Sequence, residues 1–195
     1  MKFNITEIES CIQERRTIKP EKFSSRKVHK EIIERLLNAA KWAPNHGLTQ
    51  PWFFKVFMDE GVSNISSTIA NTYRNVNGDS DFKQQKFDQI IERGNKSSVI
   101  IAICMRRQET EKIPELEEIE AVACSVQNLH LMATAYGLGG YWSTGKHIYS
   151  EEMKSNLGLV EKDKCLGFFY LGYPDVDWPT SHRKPLEYHV EWHNS

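Results

Sequence analysis

Three cations and one hydroxyl crowd five residues, Arg15-Arg16-Thr17-Ile18-Lys19, and Pro20 ends any helix that enters them. Two planar guanidinium forks beside a threonine hydroxyl suit a phosphate monoester, because each fork meets two oxygens at once. A solvated surface is the plainer reading of a basic cluster; the mixture of donor types argues past it. A second basic pair, Arg183-Lys184, precedes Pro185-Leu186 near the C-terminus. Between these poles lie two further features. One is Trp42-Ala43-Pro44-Asn45-His46-Gly47-Leu48-Thr49-Gln50-Pro51-Trp52, whose prolines and glycine make it an ordered loop. The other is the glycine turn Gly137-Leu138-Gly139-Gly140-Tyr141-Trp142. Glycines after a helix accept positive φ and let another group approach the backbone closely. Basic, aromatic and glycine features together read as a cradle for a phosphorylated aromatic cofactor.

No standard catalytic kit accompanies them. The chain has no GxSxG, no HExxH, no P-loop and no Cys/His metal set, so neither a catalytic side chain nor a metal site is assigned. A formal net charge of -1 offers no global field to draw nucleic acid or an anionic membrane. The four cysteines lack CxxC spacing, and Cys104 and Cys124 sit in apolar runs. They read as reduced core residues of a cytoplasmic protein. Glu7 and Glu9, with no continuous apolar stretch, argue against a signal peptide.

The element that must position these groups is Ala121–Gly145, the longest run without Asp, Glu, Lys or Arg. Through about Tyr136 it is apolar nearly all round, which predicts a helix inside a core or an interface. Gln127, His130 and Thr134 form one polar stripe on it, expected to satisfy each other or a neighbouring backbone. Polar residues within the helix argue against a membrane span. Ile5–Glu14 predicts an amphipathic helix with Thr6 and Glu9 as a capping box, and Lys27–Lys41 a second one. Phe53–Met58, Val99–Cys104 and Leu166–Tyr173 read as buried strands. The polar segment 59–98 suggests only marginal helices near Ser63–Asn75 and Asp81–Arg93, Arg106–Glu118 a charged connector, and Lys146–Gly158 a short helix. With 195 residues, 39% hydrophobic, this is one domain over 1–195, an α/β layered fold around one sheet.

The order Arg15-Arg16-Thr17, Ala43-Pro44-Asn45-His46 with Gln50-Pro51-Trp52, Gly137–Trp142 and Arg183-Lys184-Pro185-Leu186 resembles the nitroreductase family of FMN-dependent oxidoreductases, in particular its small members. The resemblance spans nearly the whole chain. It implies an α+β three-layer sandwich, with a mostly antiparallel central sheet flanked by helices, in an intertwined homodimer whose two FMN sites are shared across the interface. Carried over by position, Arg15, Arg16 and Thr17 would hold the phosphate and ribityl chain, with Arg183 as a second phosphate contact. Lys19 would lie near the pyrimidine edge, where a cation raises electron affinity. Trp42, Pro44 and His46 would border the ring with Gln50 nearby. Gly140, Trp142, Ser143 and Thr144 would pass the ring from the partner subunit. The implied reaction is ping-pong hydride transfer from NADPH or NADH to electron-poor acceptors such as nitroaromatics or quinones. No cation follows Trp142 where some members have one, which leaves the nicotinamide preference open. Oxygen-dependent or dehydrogenase chemistry on FMN, or a non-catalytic flavin-binding or sensory dimer, remains an alternative.

Overall fold

In the computed structural model, which describes residues 3–194, the elements run α1 (Ile5–Glu14), α2 (Lys30–Ala40), β1 (Trp52–Met58), α3 (Glu60–Asp81), α4 (Gln84–Lys96), β2 (Val99–Met105), α5 (Glu115–Ala135), β3 (Gly139–Ser143), α6 (Glu151–Asn156) and β4 (Lys164–Gly172). The four strands pair antiparallel in the order β1-β2-β4-β3. Lys55 lies opposite Ala102, Val99 opposite Leu171, and Gly140 opposite Leu171 on its other side. β2 carries no charge and is buried along its whole length, so both its faces need a cover.

The period of two divides that cover. Ile100, Ala102 and Cys104 of β2 join Phe168 and Tyr170 of β4 against α3, α4 and α6, while Val99, Ile101, Ile103, Phe169 and Leu171 pack against α2 and α5. Two apolar layers on one sheet give the three-layer sandwich the sequence predicts. No helix among the described residues is long and apolar enough to cross a membrane.

Several local expectations change. Asn4, not Thr6, caps α1: its Oδ1 accepts from the N–H groups of Thr6 and Glu7 at 3.1 and 3.4 Å. The segment 59–98 is not marginal, for α3 spans 22 residues with a break at Gly78 (φ 60°) near its end, and α4 spans 13. Val62, Ile65, Ile69, Ala70 and Tyr73 bury a continuous stripe in α3, with Ser66 and Thr72 buried among them. The two helices touch where a Cβ on Gly94 would meet Ser66 Oγ at 1.8 Å. α2 starts at Lys30, and α6 is confined to Glu151–Asn156. α5 begins inside the expected connector, its first-turn Glu115, Glu117 and Glu118 suiting the positive end of the helix dipole. Nor does one chain bury α5 all round. Val126 and Leu129 are 2% and 0% exposed in the core beneath the sheet, but Ala123, Cys124, Gln127 and Ala135 face outward. Cys124 is therefore a surface thiol, whereas Cys104 is a core one.

Candidate cofactor site

The Arg15–Lys19 segment is stitched to the sheet edge. Thr17 makes a parallel bridge to Gly140, and the Ile18 N–H donates to the Gly140 carbonyl at 3.1 Å. From below, His130 of α5 reaches the Arg16 carbonyl with Nε2 at 2.9 Å; since a carbonyl only accepts, that nitrogen carries the proton. Burial, and secondarily the charge of Arg15, push His130 down to about 4, so it holds this contact as a neutral ring. The polar stripe on α5 thus divides: His130 anchors the basic segment, Thr134 donates back to the His130 carbonyl at 3.0 Å, and Gln127 is exposed.

The tail reaches the same place. Trp178 Nε1 donates to the Glu14 carbonyl at 2.7 Å and Arg16 Nε to the Pro179 carbonyl at 2.8 Å, pinning residues 178–179 beside the end of α1. Arg183 then comes close enough to act on Arg15. Partial burial first, then the charges of Arg183 and Arg16, lower Arg15 from its ordinary value. Arg16 directs its guanidinium at the carbonyls of Pro179, Gln13 and Arg15, which makes it a brace as well as a charge. Among the described residues, no carboxylate pairs with any of these three arginines. Like charges drawn together raise each other's energy, and a dianionic phosphate offsets that with several acceptor oxygens. The residues present therefore fit the phosphate end of FMN. Lys19 is exposed beside Glu21.

The other expected site residues fall into two further groups. Trp42, 81% exposed, lines a depression of about 420 Å³ with Asn45, Leu48 and Gln50. Leu48 and Gln50 adopt φ of 54° and 46°, sparsely populated for residues with side chains, and Asn45 Oδ1 accepts the Gln50 N–H at 3.0 Å. Pro44 is exposed, and His46 Nδ1 lies 2.6 Å from Glu117 Oε2, tying the loop to the start of α5. Trp142 is half-buried, with Nε1 donating to the Leu166 carbonyl at 3.1 Å; it and Thr144 line a third depression with Ala123 of α5. Ser143 and Thr144 also border a pocket on the opposite side of the sheet. Within one chain the proline loop and the Trp142 segment therefore line different openings.

At Gly140 the packing leaves no room for a side chain. A Cβ there would lie 2.4 Å from Phe169 Cζ and 3.1 Å from His130 Nε2. Residues 12–173 match the sequence model of the Nitroreductase family. The chain belongs to this family. A Bacillus subtilis (strain 168) protein named "Putative NAD(P)H nitroreductase YfhC" is 29% identical over 180 residues, 92% of this chain and 90% of that protein. YdjA of Escherichia coli (strain K12), named in the same way, is 29% identical over 155 residues, 80% of this chain and 82% of its own. The crystal structure of the nitroreductase-like family protein from Bacillus cereus superposes with a TM-score of 0.82 at 25% identity, covering 100% of both chains. The nitroreductase-like sandwich that the motifs imply is thus the fold of this chain.

Sequence reasoning passed over the groups that hold the site together. His130 carried a signal, since a lone imidazole on an apolar helix needs a partner, but nothing local identified the Arg16 carbonyl. Trp178 and Arg93 carried none: their partners, Glu14 and Glu21, lie 164 and 72 residues away.

Proposed function

We propose that this nitroreductase-family chain is an FMN-dependent NAD(P)H oxidoreductase that works as a homodimer. The observation that carries the reading is the convergence of Arg15, Arg16 and Arg183 on one spot, fixed by the Gly140 edge strand and His130. Bound there, FMN would supply the two-electron redox chemistry of a ping-pong hydride transfer from NADPH or NADH to an acceptor such as a nitroaromatic or quinone. The chain's part is to bind and orient. Arg15 and Arg183 hold the phosphate, the Thr17 hydroxyl stands beside it, and Arg16 locks the tail in place. Lys19 brings a cation to the pyrimidine edge. Trp42, Pro44, His46 and Gln50 border the ring from one subunit, with Gly140, Trp142, Ser143 and Thr144 from the other. No side-chain acid or base is required, in keeping with the absence of a catalytic kit in the sequence. The NAD(P)H in the names of the curated relatives supports the donor.

Exposed apolar surface supports the second copy. Ile5, Ile8 and Ile12 of α1 are 57%, 49% and 52% exposed although they share one helix face. Beside them a groove of about 630 Å³ runs between α1, α2 and α5, lined by Cys11, Ala39, Trp42, Leu131 and Met132. From Ala121 onward the outward side of α5 carries no charge and continues that surface. The four cysteines are unpaired, which supports a reducing, cytoplasmic setting.

Visible absorbance of the purified protein, followed by anaerobic mixing with NADPH and with NADH, tests the reading. The expected protein is yellow and dimeric, bleaches with at least one nicotinamide, and recovers its colour on adding nitrofurazone. A colourless monomer that takes up no added FMN would overturn it.

A further inference from the structure

A pocket of about 240 Å³ opens between α3, α4 and the turn after β3, with Ser143, Thr144 and Lys146 on one wall and Lys86, Arg93 and Tyr170 facing them. No Asp or Glu lines it. Arg93 Nε is held by Glu21 Oε1 at 2.8 Å, but among the described residues neither Lys86 nor Lys146 has a carboxylate partner. His147, also in the wall, contributes no charge near neutrality: burial, and then the charge of Lys86, push it down to about 4. Two cations therefore remain uncompensated at this pocket, Lys86 partly buried, where its field is less screened, and Lys146 exposed at the rim.

Tyr170 supplies an independent observation. Its side chain is 3% exposed, on the central part of β4, yet its hydroxyl has no hydrogen-bond partner among the described residues. The hydroxyl itself is not shut off from solvent, since among the described residues Glu118 Oε1 is the one fully buried side-chain polar atom without a partner. This hydroxyl belongs to a residue that lines the pocket. An unpaired phenol, two unpaired ammonium groups and the hydroxyls of Ser143 and Thr144 make a wall rich in donors. Its complement is a group with several acceptor oxygens and negative charge. The volume is below the roughly 300–1,000 Å³ of drug-sized ligand sites, so the pocket admits a small substituted ring and not a dinucleotide.

We propose that this pocket is an anion subsite for the oxidising substrate, taking the carboxylate or sulfonate of a small aromatic acceptor whose reducible end lies toward Ser143 and Thr144. The assignment to the acceptor rests on the oxidoreductase reading above, since those two residues are the ones expected to border the flavin.

Calorimetric titration of the purified protein with 4-nitrobenzoate, and with 4-nitrobenzyl alcohol as its uncharged counterpart, tests the pocket without turnover. The acid should bind about tenfold tighter, the scale of a hydrogen bond to a charged group. That advantage should shrink with added salt. Lys86→Gln and Lys146→Gln should each weaken the acid about three- to tenfold and leave the alcohol unchanged. Tyr170→Phe should do the same without lowering the melting temperature, because the hydroxyl removed has no partner in the protein. Steady-state kinetics of Lys86→Gln then separate the two anionic substrates: KM should rise for 4-nitrobenzoate and stay fixed for NADPH and NADH. Equal binding of acid and alcohol, or a rise confined to the nicotinamide KM, would overturn the proposal. A colourless protein that still prefers the acid would sink the flavin reading and leave the anion pocket standing.

Discussion

Replacing Arg15 by alanine should act in opposite directions on the apoprotein and on FMN affinity. In the apoprotein Arg15 donates to no carboxylate among the described residues and stands near two other guanidinium groups, which lower its proton affinity after burial has done so. Removing it takes away repulsion, worth a few tenths of a kcal/mol at a partly exposed site, so the melting temperature should hold or rise slightly. With FMN present the same change deletes a charge-assisted hydrogen bond to phosphate, about 1.5–3 kcal/mol, or roughly 10- to 150-fold in Kd. Arg15→Lys should fall between, keeping the charge but not the fork. Quenching of flavin fluorescence on titration gives Kd, and a thermal melt of the stripped protein gives the other half. An unchanged Kd refutes the phosphate assignment. A lower Kd-independent melting temperature in the apoprotein would instead make Arg15 a structural residue, and the reasoning from unpaired charge would be wrong.

Gly140→Ala should destabilise the fold by about 1–3 kcal/mol, because its Cβ would lie 2.4 Å from the ring of the fully buried Phe169; an unaltered urea midpoint would count against it. His130 and His147 are both pushed to about 4 in the folded chain, against about 6.5 unfolded. Between those values the unfolded state binds more protons, so stability should be fully present above about pH 6.5 and fall as pH drops toward 4, by about 3 kcal/mol for His130 and by less for the less enclosed His147. Urea curves across that window check the sign, and a flat profile contradicts neutral burial. Ala123→Glu, on the outward side of α5, should break the dimer and release FMN while the subunit stays folded; sedimentation and absorbance report both. Val126→Glu should unfold the chain instead, since Val126 is buried in the subunit's own core.

The last contrast marks where the sequence stopped being legible. A run without charges announces burial but not what buries it. In α5 the residues Val126 and Leu129 meet the sheet, while Ala123 and Cys124, equally uncharged, are left outside. Only the helix's placement over β2 distinguishes them. The strands were legible because β-branched and aromatic residues concentrate there. α3 was obscured for the converse reason: Ser66 and Thr72 pack as core residues, so a segment with a regular buried stripe looks polar by composition. In the site, the types and spacing of Arg15, Arg16 and Thr17 were enough to suggest a phosphate, and the fold brings Arg183 to the same side chains. The contacts that fix them were not readable, because Trp178 and His130 act on carbonyls more than 100 residues away. Backbone acceptors carry no residue-specific signal.

Those contacts also explain how like charges are kept together. Arg16, Trp178 and His130 each end on a main-chain carbonyl, and Ile18 and Gly140 join by main-chain atoms alone. The basic segment is therefore held by bonds that are indifferent to a ligand's charge, and Arg15 is left without a bond of its own. Such a site is organised before its ligand arrives, so binding need not order the loop, and the affinity lost in that step elsewhere is retained here. The corollary is that FMN should raise the melting temperature in proportion to the logarithm of its concentration over Kd, and that Arg15→Ala should diminish that gain more than Arg16→Ala, whose guanidinium is already spent on three carbonyls. Removing Trp178, which touches neither Arg15 nor Arg183, should diminish the gain only by loosening the tail that carries Arg183.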